Sequence, residues 1–289
     1  MSELEMNSKA HRNTTQRKRQ HSDVEEGEIN DEPKKSHTTT ADVLYDYYCV
    51  IDFECTCEQY AKPRAYQHEI IEFPAVLIDA RTRLKTAEFH SFCRPVVNAR
   101  LSDFCKWLTG IDQKTVDKAP LFEEVMANFE AWLAKHVDNQ KKTVAFVVDG
   151  SSDFGHFFQV QHKLINRDVP ERFHVWIDIR VPFGRYAGTA RPCLMRMLRI
   201  MGENFEGRRH SGKDDALNIA KITVWLVEHG VKLRVNQRLV LREAQDIESG
   251  ECTDDDSDTD CLCPKITHSL LKYAVIPICD GELFSTGSK

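Results

Sequence analysis

The chain of 289 residues carries 39 Lys and Arg, 45 Asp and Glu, and 41% hydrophobic residues, which is enough for the core of one large domain. It has no apolar run of about 18 residues, so we expect no membrane-spanning segment and no membrane partner. The ten cysteines are scattered singly, which is typical of reduced thiols inside a cell and not of a disulfide framework. We therefore expect a protein of the cytoplasm, with the nucleus as the alternative or additional compartment.

The net charge of −6 is distributed unevenly along the chain. Residues 243–260 hold nine acidic residues and no Lys or Arg, whereas residues 47–242 and 261–289 together carry a net charge of +6. This mildly basic body is compatible with a polyanionic partner. The polar residues 1–44 predict a disordered leader, and residues 238–289 predict an acidic linker followed by an apolar tail that packs back on the body or binds a protein partner.

Between these ends, the apolar pattern predicts strands first and helices afterwards. Three strands, over 47–55, 68–79 and 85–93, are expected to form an antiparallel meander. This order indicates an α/β fold with a mixed sheet flanked by helices. The remaining predicted elements are a buried strand over 143–149 and helices over 101–108, 120–137, 153–165, 191–201 and 214–230.

The stretch YYCVIDFECTC ends an apolar strand with two acids, Asp52 and Glu54. Residues two apart share one face of a strand, so the two carboxylates are predicted to project together. Such a pair repels unless a cation lies between its members, and carboxylate oxygens suit Mg²⁺ or Mn²⁺. The alternative is a solvent-facing strip on an exposed strand, which the apolar Cys-Val-Ile run before the acids disfavours.

Two further segments place acids near the start of predicted helices. Asp149 and Asp153 lie in DGSSD, and Asp215 follows His210 in HSGKDD. Each residue also has an ordinary structural alternative, as a turn former, a first-turn helix acid, a helix cap or an exposed loop histidine. Taken together with the first pair, the later acids could hold two divalent ions, and His210 is suited to accept a proton near neutral pH.

In this order the motifs resemble the DEDD exonucleases of the His subtype, and more closely the Eri-type 3′–5′ exoribonucleases. The similarity covers residues 45–237 and implies a ribonuclease H-like mixed sheet, with a three-strand antiparallel meander plus parallel strands, flanked by α-helices. It is carried by the stretches CVIDFECTCE, HEIIEFPAVLID, LSDFCKWLTGI, VVDGSSDFGHF and RRHSGKDDALNIA.

The resemblance implies hydrolysis of RNA 3′ ends to nucleoside 5′-monophosphates with two Mg²⁺ ions, for which Mn²⁺ can substitute. The expected context is small-RNA, histone mRNA or rRNA 3′-end processing. By position, the similarity implies four metal ligands and one general base, which are Asp52, Glu54, Asp153, Asp215 and His210. It also places five residues beside the terminal nucleotide, which are Phe53, Cys55, Thr56, Leu108 and Ser152. Asp149 and Asp214 are neighbouring acids that the family pattern does not use, and they stay open as alternative ligands.

Two features depart from the Eri-type pattern. Ser152 stands where these enzymes often have a tryptophan, and residues 1–46 show no pattern like the SAP module of animal Eri-type enzymes. We therefore expect single strands or short 3′ overhangs as substrates, rather than a stem-loop. Two functional alternatives stay open, a DNA 3′–5′ exonuclease of the same superfamily and a non-catalytic RNA-binding scaffold of a silencing complex.

Overall fold

A computed structural model of the protein describes residues 43–60, 66–241 and 271–278. The acidic run 243–260 and nearly all of the predicted leader lie outside these residues, so both stay predictions. The strands are β1 (Tyr47–Ile51), β2 (Glu54–Cys55), β3 (Ile70–Asp79), β4 (Lys85–Phe92), β5 (Val144–Val148), β6 (Val175–Asp178), β7 (Gln237–Leu241) and β8 (Tyr273–Pro277). The α-helices are α1 (Asp103–Thr109), α2 (Gln113–Lys118), α3 (Phe122–His136), α4 (Phe158–Leu164), α5 (Arg180–Ala187), α6 (Leu194–Ile200) and α7 (Gly212–Glu228).

The strands form one mixed sheet in the order β2-β3-β1-β5-β6-β7-β8, with β4 paired to β3. β3 runs antiparallel to β1, β2 and β4, which confirms the predicted meander. β1, β5 and β6 run parallel to one another, whereas β7 and β8 continue the sheet in antiparallel fashion. The predicted ribonuclease H-like mixed sheet with flanking helices is therefore confirmed.

β1 is buried on both faces because its alternate side chains enter two different cores. Cys49 and Ile51 lie in a phenylalanine-rich cluster that α3 and α4 cover. Tyr48 and Val50 lie in a second cluster, to which α5, α6 and α7 contribute. The two helical layers explain the continuous apolar run of the sequence, and they leave the end of β1 as the point where polar side chains begin.

The predicted strand 47–55 is interrupted at Asp52 and Phe53. The N–H of Phe53 donates to Oδ1 of Asp153 at 2.8 Å, so this residue is bound to the segment after β5 instead of to a neighbouring strand. That segment also differs from prediction, because the helix expected over 153–165 starts with a π-helical turn, Asp153–Phe157, before α4. The short elements α2, α5 and β6 were not predicted.

The sheet extends beyond residue 237, the predicted end of the catalytic domain. β7 pairs with β6, and β8, from the apolar tail, pairs with β7. Val275 of β8 lies against Gly155, where an added Cβ would be 2.5 Å from Cγ2 of Val275. Over residues 271–278 the tail therefore packs back on the body and supplies the last strand of the sheet. Among the helices of the described ranges, none has the length and hydropathy that a bilayer crossing requires.

We expect Val275→Asp to lower the free energy of unfolding by about 1–3 kcal/mol, because a carboxylate would replace methyl groups that pack on Gly155. The matched variant Ile276→Asp changes a side chain that is 37% exposed, and it should shift the free energy by about 0.5 kcal/mol or less. Urea denaturation of both variants measures the difference. Equal losses of stability would contradict the docking of β8.

Candidate functional site

Three of the predicted metal ligands come from different elements and meet at one end of β1. Asp52 follows β1, Glu54 begins β2, and Asp215 lies in the first turn of α7. One carboxylate oxygen from each residue lies within 4.8 Å of the other two oxygens. We call these three residues the acid cluster. Its oxygen atoms are the ligands that a hard divalent cation prefers.

Asp153 lies beside the acid cluster. Its Oδ1 accepts the hydrogen bond from the N–H of Phe53, the residue between the two acids of the first pair. The charge of Asp153 also raises the pKa of Asp52, so the two carboxylates are close enough to interact. The π-helical turn is therefore attached directly to the backbone of the acid cluster.

Burial and mutual repulsion oppose ionisation of all four acids. Burial raises the pKa of Asp52 first, and the charges of Asp153 and Asp215 raise it further. Burial and the charge of Asp215 likewise raise the pKa of Glu54. Burial is also the main cause that raises the pKa of Asp153 to about 7 and that of Asp215 to about 8. A cation bound among these groups would favour their charged forms.

His210 lies in the turn that precedes α7, in a left-handed backbone conformation with φ 59°. The side chain is half-buried, and burial together with the charges of Arg209 and Arg208 lowers its pKa below the usual value. The imidazole is therefore neutral at pH 7 and able to accept a proton. The backbone of His210 is close enough to the carboxylate of Asp215 to oppose the rise of its pKa, so the predicted base lies near a predicted ligand.

The acid cluster fits a divalent metal ion. Oδ2 of Asp215 is buried, and within the described ranges it has no hydrogen-bond partner. A buried carboxylate oxygen without a partner is destabilising, and coordination of a cation would satisfy it. Both the unsatisfied oxygen and the oxygen-only donor set therefore favour a metal site.

The two alternative ligands have other partners. Asp149 accepts two hydrogen bonds from the guanidinium of Arg180, at 3.0 and 3.2 Å. Asp214 accepts from the backbone N–H of Arg208 at 2.8 Å. Neither residue belongs to the acid cluster, so the geometry favours Asp215 over its neighbour Asp214.

Most of the five residues predicted to contact the terminal nucleotide are buried. The ring of Phe53 packs in the phenylalanine-rich cluster, and Cys55 and Leu108 are also buried. The hydroxyl of Thr56 accepts from a backbone N–H just before β3, whereas Ser152 is half-buried at the start of the π-helical turn. A side-chain contact from Phe53 or Thr56 is therefore disfavoured. The nucleotide contacts of all five residues stay predictions.

Glu72 of β3 is a site residue that was not predicted from the sequence. Its Oε2 accepts from the backbone N–H of Gly212 at 3.0 Å, and its Oε1 accepts from the backbone N–H of Lys213 at 3.3 Å. The same Oε1 lies 2.7 Å from Nε2 of His90. A carboxylate at a helix N-terminus satisfies free N–H groups and interacts favourably with the helix dipole. Glu72 thereby holds the start of α7 against the sheet. The available signal was an acid inside the otherwise apolar strand IIEFPAVLI.

Gly212 allows α7 to begin beside the connection between β1 and β2. A Cβ at this position would lie 2.6 Å from the carbonyl oxygen of Asp52 and 3.4 Å from Cγ of Glu54. A larger residue would therefore push α7, and Asp215 with it, away from the first pair of acids.

Together, a mixed sheet with acids at the end of β1, after β5 and at the start of α7 defines the class of ribonuclease H-like DEDDh exonucleases. The family model described as Exonuclease matches residues 49–223. The 3′-5′ exoribonuclease 1 of Mus musculus is 38% identical over 205 residues, which cover 70% of this chain and 59% of that protein. The 3′-5′ exonuclease eri1 of Schizosaccharomyces pombe is 34% identical over 212 residues, 66% of this chain and 71% of that protein.

The solved nuclease domain of 3′hExo, a DEDDh family member bound to rAMP, matches with a TM-score of 0.65 and 38% identity. The match covers 68% of this chain and 100% of that one. The chain therefore belongs to the Exonuclease family and, within it, to the Eri-type DEDDh exonucleases. The matched residues span only 57–59% of the length of the mammalian relatives named 3′-5′ exoribonuclease 1.

We expect Glu72→Gln to lower the free energy of unfolding by about 1–3 kcal/mol, because one backbone N–H at the start of α7 would face an amide nitrogen instead of an oxygen. As a control, Glu88→Gln on β4 removes a partly exposed carboxylate that pairs with Lys85. This control should cost about 0.5 kcal/mol or less. Urea denaturation compares the two variants, and equal effects would contradict the role of Glu72.

We also expect the metal-free protein to lose stability as the pH rises from about 4 to about 8. The pKa values of Asp153 (about 7) and Asp215 (about 8) are raised in the folded state. The folded protein therefore binds more protons than the unfolded chain in this window, and its stability falls with pH. Mg²⁺ should then raise the melting temperature more at pH 8 than at pH 5. Thermal denaturation in EDTA and in Mg²⁺ checks this, and equal shifts at both pH values would contradict it.

Proposed function

We propose that the protein is a metal-dependent 3′–5′ exoribonuclease that hydrolyses RNA 3′ ends to nucleoside 5′-monophosphates. The observation that carries the proposal is the convergence of Asp52, Glu54 and Asp215 in one oxygen cluster, on a chain of the Exonuclease family. The similarity to the 3′-5′ exoribonuclease 1 of Mus musculus and to a nuclease domain bound to rAMP supports RNA as the substrate.

The proposed cofactor is a pair of Mg²⁺ ions held by Asp52, Glu54, Asp153 and Asp215. Mn²⁺ can substitute, because both cations accept carboxylate oxygens. When bound, such ions orient and acidify a water molecule and stabilise the negative charge on the leaving 3′ oxygen. Burial and then the neighbouring carboxylates raise the pKa values of Asp52 and Glu54, which supports this role because a bound cation would favour the ionised forms.

The remaining chemistry belongs to His210. As the water oxygen attacks the phosphorus of the last phosphodiester, the neutral imidazole takes the proton that the water loses. The bond from phosphorus to the 3′ oxygen of the preceding nucleotide breaks, which releases a nucleoside 5′-monophosphate, and the leaving 3′ oxygen takes a proton from solvent to become the new 3′-hydroxyl. The influence of the His210 backbone on the pKa of Asp215 supports a position of the base near the acid cluster.

For the natural substrate, we propose short single strands or 3′ overhangs, in small-RNA, histone mRNA or rRNA 3′-end processing. The membership of the chain in the Eri-type exonucleases supports this class of RNA. A basic and exposed segment beside the candidate base, Arg208 and Arg209, supports contact with a phosphate backbone.

We expect Asp215→Asn to lower the rate of RNA hydrolysis by about 10³-fold or more, because the variant removes one negative ligand of the acid cluster. The matched variant Asp214→Asn should keep most of the activity, since an amide oxygen can still accept from Arg208. Release of nucleoside 5′-monophosphates from a 3′-hydroxyl RNA, with Mg²⁺ and with EDTA, measures both effects. Hydrolysis in EDTA, or equal losses in the two variants, would contradict the proposed mechanism.

The same assay separates RNA from DNA. Matched oligonucleotides that differ only in the sugar should be hydrolysed faster as RNA. Faster hydrolysis of the DNA would replace the proposed activity by that of a DNA 3′–5′ exonuclease. Binding of RNA without any hydrolysis would favour the scaffold alternative.

A further inference from the structure

Trp107, on α1, stands out from the other tryptophans of the chain by its exposure. Its side chain is 64% exposed, whereas Trp176 is fully buried and Trp132 and Trp225 are half-buried. A single exposed aromatic side chain is not unusual on a protein surface. The residues around Trp107 are what suggest a function for it.

Arg208 attaches Trp107 to the candidate base. Nη2 of Arg208 donates to the carbonyl oxygen of Trp107 at 2.7 Å, and Nη1 lies 3.4 Å from the carbonyl oxygen of His210. One guanidinium therefore joins the end of α1 to the turn before α7. Gly110 makes room for it, because a Cβ there would lie 2.7 Å from Cζ of Arg208, and the φ of 74° at this residue favours glycine.

The ring of Trp107 has support on one side. Phe104 lies one helical turn earlier, with its ring centroid 6.0 Å from that of Trp107 and the two planes tilted by 36°. Phe104 itself is half-buried and packs on the cluster that contains Leu108 and Cys105. An indole that is held on one side and exposed on the other offers a face on which a flat ring can stack.

The positive charges near the candidate base, of which Arg208 contacts Trp107, indicate what kind of ring would stack on the indole. Arg208, Arg209 and Lys213 are exposed and surround His210 along the chain. Basic side chains next to an aromatic face are typical of surfaces that bind single-stranded nucleic acids, where the bases stack and the phosphates are neutralised. A protein partner would not require this concentration of positive charge.

We propose that Trp107 stacks on a base of single-stranded RNA that lies 5′ of the terminal nucleotide. The inference rests on the proposed function, which fixes the terminal phosphodiester at the acid cluster. Arg208 connects the carbonyl oxygen of Trp107 to that of His210, so Trp107 is exposed next to the turn that carries the candidate base. An RNA whose terminal phosphodiester lies at the acid cluster would pass this surface with its upstream part. Stacking there is tolerant of sequence, because every base has an aromatic face.

The test is a cycle that combines protein variants with abasic RNA. In an Asp52→Asn background, so that the RNA is not consumed, fluorescence anisotropy measures the Kd of oligoribonucleotides of about eight nucleotides. Each RNA has one abasic residue at a different position from the 3′ end. We expect Trp107→Ala to weaken binding of the intact RNA by about 5- to 100-fold. This loss should disappear for one abasic position upstream of the terminal nucleotide.

Trp107→Phe separates stacking from folding, because it keeps an aromatic ring in place. This variant should bind within about 3-fold of the parent, but it should lose the quenching of tryptophan fluorescence that RNA causes in the parent. Tyr186→Ala is the control for a partly exposed aromatic residue elsewhere. Tyr186 packs on Trp225 and His229, roughly 20 Å along α7 from the acid cluster, and its removal should leave the Kd unchanged.

Three results would overturn the inference while the proposed function stands. These are tight RNA binding that Trp107→Ala does not weaken, a loss that is the same at every abasic position, and a loss that maps to the terminal base. A parent protein that binds none of the RNAs would instead overturn the proposed function, and the inference with it.

Discussion

The structure depends on holding buried carboxylates close together against their mutual repulsion. Asp52, Glu54 and Asp215 come within 4.8 Å at their oxygens, with Asp153 beside them, and burial raises the pKa of every one. The apolar layers on both faces of β1 supply the free energy that holds these groups in place. A cation among these groups would relieve the repulsion, so the same arrangement that is unfavourable in the metal-free protein favours the binding of a divalent metal.

The placement of α7 shows that one contact can serve both the fold and the site. The first N–H groups of a helix lack partners within it, and a buried glutamate needs donors. Glu72 and the backbone of Gly212 and Lys213 satisfy each other, which fixes the end of the helix that carries Asp215. Because His210 lies in the turn just before this end, its position follows from the same contact. A loss of Glu72 would therefore affect the proposed ligand Asp215 and the proposed base His210 without a change in either residue.

The sequence predicted those features that depend on local pattern. In the meander, α3 and α7, apolar residues recur at strand or helix spacing over long segments. The acids of the site stand out because they lie at the ends of apolar segments. The break after β1 was missed because it depends on a hydrogen bond between Phe53 and Asp153, which are 100 residues apart. β8 gained its strand conformation from its partner β7, which the composition of the tail does not reveal. Glu72 was visible as a misplaced acid, but its donors come from a helix 140 residues further on.

The distribution of charge explains how a chain with a net charge of −6 can serve a polyanionic substrate. The acids of the site are partly or fully buried and lie close together, where a cation could neutralise them. Arg208, Arg209 and Lys213 carry positive charge, are exposed and lie close to His210 in the chain. A phosphate backbone bound as the proposed function requires would meet this positive charge, and the acids would tolerate it only with a cation among them. The exposed charge beside the site, rather than the total charge of the chain, decides which partner it attracts.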